Sequence, residues 1–332
     1  MELNDLKKKR SYSIDVLKYI CFCLVVFIHC PFPHFYGDIM TSIARMAVPI
    51  FFMISGFFYK PNIDQDKKKC KKYFGLFLSM NIFWYLLYCI IRLCDGYEFT
   101  KWAYMDLNIK NFIYCFIFGR PFANEYVWFL HALGCVYLIC IFIYWMKFDI
   151  CKVLRWMWIP LFLFMFCISY GTSLFLGHSI QACFYRNGIF EGLGFFSLGY
   201  FMKIKKHKNI FNSLWFLLCL GFIGLGLTVC ESFAFGRYDI YIGSVLLATA
   251  SLKLAIKIEC DSSFFSLLGR KSSMQLYLWH PLMYLVIIML ESLLIKSQLI
   301  NWLPWINPIL VVIVTSVFFY FVRKENFSFL HK

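Results

Sequence analysis

The run IDVLKYICFCLVVFIHCPFP, residues 14–33, is the first apolar stretch long enough to cross a bilayer as a helix. A hydrocarbon core about 30 Å thick needs roughly 20 apolar residues at a rise of 1.5 Å each. Similar runs recur at 39–59, 73–94, 127–146, 154–175, 187–202, 210–230, 240–257, 273–294 and 304–322. We therefore predict an all-α, polytopic membrane protein with about ten transmembrane helices.

The overall composition supports this prediction. The 332 residues are 61% hydrophobic and 15% charged, with a mean hydropathy of +0.68. Soluble domains have about 45–50% apolar and 25% charged residues. A soluble protein of this size cannot bury so much apolar surface, so a soluble two-domain enzyme is excluded. A disordered chain, a collagen and a small disulfide scaffold are excluded on the same composition.

The net charge of +15 arises from 33 basic residues against 18 acidic ones. Most of the basic residues fall on segments that share one side of a ten-span topology: the tail 1–10, loops 60–72, 147–155, 203–208 and 253–271, and the tail 323–332. Basic loops mark the cytoplasmic side, so we expect both termini in the cytoplasm. The charge then needs no nucleic-acid partner.

We expect one membrane domain over residues 1–332, because no linker or repeat divides the chain. Segment 95–126, aromatic and mixed in charge, is the predicted long outer loop, and 111–119 within it is a short interfacial segment. The 15 cysteines are scattered through apolar runs without a CxxC pair. We interpret them as packing residues and expect no metal site.

Ionisable side chains inside a membrane helix are costly and mark functional sites. The first span carries Asp15, Lys18 and His29. Eleven helical steps separate Lys18 from His29, which places both on one face about 16 Å apart. Asp15 lies near that face and can pair with Lys18. The alternative is that Lys18 extends to the interface while His29 only hydrogen-bonds a neighbouring helix.

Other spans contribute further polar residues. Arg45 lies early in the second span, where an anionic or carboxylate partner is expected. Pro281 follows His280 directly and frees a backbone carbonyl near it. Each of these residues also has a structural explanation, but together they indicate a polar cavity. We take Arg45 and Glu191 as catalytic candidates beside His29, and as substrate-binding candidates Asp15, Lys18, Trp128, His131 and His280.

Several motifs resemble those of the acyltransferase-3 family of integral membrane acyltransferases, in family order over about residues 10–290. Lys18 and His29 match its Arg/Lys-x10-His pattern, although Lys stands where Arg is common. The other matches are VPIFFMISGF at 48–57, WFLHAL at 128–133 followed by Tyr137 and Leu138, FFSLGY at 195–200, and LYLWH at 276–280.

The resemblance implies a multi-pass protein of the bacterial inner membrane that transfers an acyl group, usually acetyl, from cytoplasmic acyl-CoA to a hydroxyl of a cell-surface or lipid-linked carbohydrate. A neutral imidazole is a suitable base for such a hydroxyl, and we expect His29 to act in this role. The alternative is that His29, or another nucleophile, first takes the acyl group and then passes it to the acceptor. Lys18 can attract the donor phosphates. Arg45 can stabilise the oxyanion or bind a substrate carboxylate.

Two other classes of protein fit the same residues. One is a proton-coupled transporter or flippase of a lipid-linked saccharide, with His29 and Glu191 coupled to protons. The other is a scaffold in which the polar face only packs helices together. Transfer of labelled acetyl groups distinguishes the enzyme from both.

Overall fold

The computed structural model describes residues 12–96, 98, 106–176, 180–204, 213–236, 238–294 and 302–329. These residues form helices and connecting loops without a β-strand, which confirms the predicted all-α class. The predicted tail 1–10 lies outside them, as does 99–105 of the predicted outer loop. The interfacial segment predicted at 111–119 is a short apolar helix, Ile109–Phe118.

We number the α-helices in chain order. They are α1 Tyr12–His29, α2 His34–Ala44, α3 Ala47–Phe57, α4 Ile63–Cys94, α5 Ile109–Phe118, α6 Trp128–Trp145, α7 Ile150–Trp156, α8 Trp158–Phe166, α9 Thr172–Leu176, α10 Gly194–Ile204, α11 Leu214–Phe235, α12 Ile242–Lys257, α13 Phe264–Lys271, α14 Ser273–Leu294 and α15 Leu303–Phe329. Two short π-helical segments directly precede helices: Cys167–Gly171 precedes α9, and Gly188–Leu193 precedes α10. Such segments are frequent at functional sites.

Every predicted span overlaps helix within the described residues, but the helices differ in length. Seven described segments are long and apolar enough to cross a membrane: Tyr12–His29, His34–Phe57, Ile63–Cys94, Glu125–Trp145, Leu214–Phe235, Ser273–Ser292 and Leu303–Val322. The pair Ile150–Trp156 and Trp158–Gly171, bent by 40°, makes an eighth if it is one span. The segments at the predicted spans 187–202 and 240–257 are shorter than 18 residues. The ten-span count and the cytoplasmic termini therefore stay predictions.

Several long helices have apolar outward faces, as a lipid environment requires, whereas the first turns of α4 expose Lys67, Lys68 and Lys71. Helix α11 shows this best, because Trp215, Phe222 and Ile223 are largely exposed. In water such a face would be a large aggregation-prone patch. The polar residues of interest lie instead on the inward faces.

The described residues form two compact units, one from those within 1–51 and 207–332 and one from those within 52–206. In the first unit, α1 packs against α13, α14 and α15. Its core includes Tyr19, Phe22, Val26 and Leu276. The Tyr19 hydroxyl lies 3.0 Å from Ser316 Oγ. This packing fixes the rotation of α1 about its own axis and therefore the direction in which its polar side chains point.

Helices α11 and α12 of the first unit cross at very short range. A Cβ added to Gly224 would lie 2.6 Å from Leu247 N, and one added to Gly243 would lie 2.3 Å from Thr228 N. Small residues at a crossing let membrane helices gain van der Waals contact without a hydrophobic driving force. The glycines are therefore required for this approach.

The second unit is centred on α6, which packs against α4 and against the π-helical segment Gly188–Leu193. Aromatic rings fill its core. Phe52 and Phe129 have ring centroids 4.8 Å apart, and Phe195 and Phe196 are fully buried. This packing holds Trp128, His131 and Glu191 in place.

Candidate active site

Two histidines predicted from separate motifs come together in the first unit. His29 is the last residue of α1, and His280 lies in the interior of α14. Their ring centroids are 5.6 Å apart with an interplanar angle of 38°. His280 is 1% exposed, whereas His29 is partly exposed. The pair therefore combines a fixed inner ring with a more accessible outer ring.

The position of His280 follows from the proline after it. Pro281 has no N–H, so it cannot make the helical hydrogen bond to the carbonyl of Tyr277, four residues earlier. His280 Nδ1 lies 2.7 Å from that carbonyl oxygen. A carbonyl only accepts, so Nδ1–H is the donor, and in the neutral ring Nε2 carries the lone pair. The predicted release of a carbonyl near His280 is thus present and fixes the tautomer.

Aromatic rings surround the inner histidine. Phe22 of α1 meets His280 edge to face, with centroids 6.3 Å apart. The Tyr277 ring centroid is 6.2 Å from that of His280. These contacts restrict the imidazole to one orientation, which is what preorganised catalytic groups require.

Lys18 and Asp15 form the ion pair expected from their spacing. Lys18 Nζ lies 2.9 Å from Asp15 Oδ1, and the two side chains are 22% and 8% exposed. Asp15 therefore compensates the charge of Lys18 inside the first unit. This geometry does not test the predicted role of Lys18 in binding donor phosphates, which stays a prediction.

Arg45 has a carboxylate partner, as expected for a cation within an apolar run. Its Nη1 lies 2.6 Å from Asp239 Oδ1, and both side chains are largely buried. Arg45 also lies at the break between α2 and α3. Broken helices expose backbone polar groups where they line cavities in membrane proteins. The contact uses one nitrogen of a guanidinium that carries five N–H donors.

The other three predicted residues lie in the second unit. Trp128 is buried beneath Arg186, whose Cζ is 5.2 Å from the ring centroid. His131 is buried and its Nε2 lies 2.9 Å from the Phe116 carbonyl oxygen. Glu191 is 2% exposed and lies within the π-helical segment Gly188–Leu193. Their proposed roles in catalysis and substrate binding stay predictions.

Sequence reasoning missed several buried carboxylates. Glu231 is 6% exposed and accepts hydrogen bonds from Ile242 N at 3.2 Å and Gly243 N at 2.9 Å, so it caps the N-terminus of α12. Asp66 accepts from the Tyr59 hydroxyl at 2.6 Å. The available signal for Glu231 was its position as an acidic residue within the apolar run of α11. Nothing local identifies Asp239 as the partner of Arg45.

Comparison with known proteins identifies the family of this chain. A family model described as an acyltransferase domain matches residues 11–323, nearly the whole chain. The searches of curated proteins and of solved structures returned no match. The family match includes α1 with His29, the break at Arg45 and α14 with His280. The chain belongs to the acyltransferase-3 family of membrane acyltransferases.

Proposed function

We propose that the protein transfers an acyl group, acetyl in the first instance, from acyl-CoA to a hydroxyl of a cell-surface or lipid-linked carbohydrate. The observation that carries the proposal is the histidine pair with its fixed tautomer. A sugar hydroxyl is a poor nucleophile near neutral pH, and a positioned imidazole contributes about 10²–10⁴-fold by removing its proton. Helix α1 supplies that imidazole as His29.

The two histidines take different roles in this proposal. His29 is the catalytic base, because it is the partly exposed ring at the end of α1. His280 is a positioning residue, since its Nδ1–H is committed to the Tyr277 carbonyl. A base held by a third group is the general arrangement of activated nucleophile sites. The proton that leaves the hydroxyl goes to His29, and the CoA thiolate receives it after the thioester breaks.

In this proposal, the cations of the two ion pairs interact with the acyl-CoA donor. Lys18 attracts the CoA phosphates, while Asp15 keeps its ammonium charge compensated before the donor binds. Arg45, held at Nη1 by Asp239, directs its remaining donors at the thioester carbonyl as negative charge develops there. Electrostatic stabilisation of this kind is worth about 10²–10³-fold per donor.

The proposal is tested in cells that depend on this chain for glycan acylation. Loss of the protein should lower the mass of the surface glycan by one acetyl unit per modified sugar. His29→Ala should give the same loss while the protein still inserts in the membrane. His34→Asn is the matched control, because His34 is an exposed histidine with φ +57°, a conformation that Asn tolerates. Full acylation with His29→Ala would refute the assignment.

The transporter remains the second candidate, because the break at Arg45 and the buried Glu191 are features that transporters share. Purified protein in vesicles with labelled acetyl-CoA separates the two. Covalent label on the glycan supports the enzyme. Gradient-driven movement of the saccharide without acyl transfer supports the transporter.

A further inference from the structure

A cavity of about 500 Å³ lies in the second unit and is lined by residues of α5, α6 and both π-helical segments. Most of its described lining is apolar and includes Ile117, Phe118, Ile168 and Phe184. Ile117 is 66% exposed, so the cavity opens at the protein surface beside α5. In a membrane protein such an opening is accessible to lipid.

The polar side chains of the described lining are engaged with the local fold. The Asn187 side chain accepts from backbone N–H groups of the following turn and donates to backbone carbonyls of the preceding turn. His131 Nε2 lies 2.9 Å from the Phe116 carbonyl oxygen. The Cys135 thiol behaves as a small hydrophobe. The interior of the cavity therefore favours a hydrocarbon occupant.

Helix α5 indicates that the cavity opens at the membrane interface. The helix has ten residues, which is too few to cross the hydrocarbon core. Ile109, Phe116 and Ile117 are each more than half exposed, so this apolar surface requires lipid contact. A short helix of this kind lies at the boundary between head groups and acyl chains. Lipid phosphates are then close to the depth at which α5 ends.

Two arginines follow aromatic residues of the cavity wall. The rings of Phe118 and Phe184 line the cavity, and their centroids are 5.0 Å apart. Arg120 and Arg186 each come two residues later in the chain. Both guanidinium charges act on the buried Cys183 thiol, so both groups lie near it. Guanidinium groups match phosphate oxygens with paired N–H donors, which makes this pair suited to a phosphate.

The contacts of the two guanidinium groups leave room for an anion. Arg186 Nη2 lies 3.7 Å from Glu125 Oε2, and the Glu125 side chain is 74% exposed. A long ion pair with an exposed carboxylate is worth little, so a phosphate can replace it. Aromatic rings hold both cations in place: Arg186 Cζ is 5.2 Å from the Trp128 ring centroid, and Arg120 Cζ is 5.9 Å from that of Tyr114.

We propose that this cavity binds one glycerophospholipid with an anionic head group, with an acyl chain between the apolar walls and the phosphate at Arg120 and Arg186. The chain leaves one apolar environment for another, because lipid tails are as apolar as the cavity walls. The phosphate contacts therefore provide the selectivity. The bound chain fills the space between α5, α6 and the π-helical segments and stabilises this part of the second unit. The site is independent of the proposed acyl transfer.

The test is native mass spectrometry of the full-length protein in detergent, titrated with dioleoylphosphatidylglycerol. Arg120→Gln and Arg186→Gln should each weaken its binding about tenfold, because each removes a charge-assisted hydrogen bond. Dioleoylglycerol has the same chains without the phosphate and should also bind about tenfold more weakly or less. Arg155→Gln is the matched control, since Arg155 is exposed in the same unit and is not among the described lining residues. It should bind the phospholipid as wild type does.

A phosphatidylglycerol with a diazirine at the end of one acyl chain locates the bound lipid. Its cross-links should fall on cavity residues such as Phe118, Ile168 and Phe184. Cys135→Phe places a ring in the cavity and should remove these cross-links; if that variant does not fold, the arginine variants decide.

Three results would overturn the proposal. The first is wild-type affinity in both arginine variants, and the second is cross-linking confined to other helices. The third is a polyprenyl phosphate that displaces phosphatidylglycerol at a lower concentration, because the cavity would then belong to a carrier lipid.

Discussion

Replacing Pro281 with alanine should stabilise the protein and impair it at the same time. The new N–H at position 281 would bond the Tyr277 carbonyl, as in an unbroken helix. That carbonyl is the acceptor of His280 Nδ1–H at 2.7 Å. The substitution therefore restores a helical hydrogen bond and competes with the bond that orients the inner histidine.

The magnitudes follow from the two hydrogen bonds. Proline in a helix interior is about 3 kcal/mol less favourable than alanine, and loss of the His280 bond costs about 1 kcal/mol. The free energy of unfolding should rise by about 2 kcal/mol, which is roughly 4 °C in Tm. If the orienting bond contributes its full 1 kcal/mol to the transition state, acyl transfer should slow about fivefold.

Two assays on purified protein measure these effects: thermal denaturation in detergent, and the rate of acetyl transfer to extracted glycan. Pro308→Ala is the control, because Pro308 also lies inside a helix, α15, and has no histidine before it. It should raise Tm without slowing transfer. A Pro281→Ala protein that is more stable and equally active would refute the orienting role of the Tyr277 carbonyl.

Three further substitutions test the packing and the charges. Asp239→Asn leaves the largely buried Arg45 cation uncompensated and should cost about 3 kcal/mol, measured as lost thermal stability; Arg45→Gln in the same chain should restore it. Glu231→Ala removes the cap of α12 and should cost about 1 kcal/mol in the same assay. Gly224→Leu should lower the Tm or abolish folded protein, since overpacking costs about 1–3 kcal/mol. Gly226→Leu should be neutral, because nothing lies within 4 Å of its added Cβ.

Local sequence was sufficient for the features that depend on neighbours along one helix. Spacing predicted the Asp15–Lys18 ion pair, and the Pro281 rule predicted a released carbonyl beside His280. Both consequences follow from helix geometry alone, without knowledge of other helices. Apolar run length likewise predicted where helices form.

Features that depend on tertiary contacts could not be predicted from the sequence. The sequence indicated an anionic or carboxylate partner for Arg45 but did not identify Asp239, which lies 194 residues away. His131 was a candidate from the sequence, yet the Phe116 carbonyl that its Nε2 contacts comes from α5. The break between α2 and α3 at Arg45 was not predicted, although Pro49 was the available signal, because a proline cannot donate to the carbonyl four residues earlier and its ring clashes with that carbonyl.

The most direct measurement of the central claim is the rate of acetyl transfer by purified His29→Asn protein against His34→Asn. Both variants replace one histidine by the same residue, so their effects on charge and volume match. Removing the base should slow transfer by about 10²–10⁴-fold, while His34→Asn keeps the wild-type rate. Equal rates for the two variants, with both proteins folded, would contradict the assignment of His29 as the base.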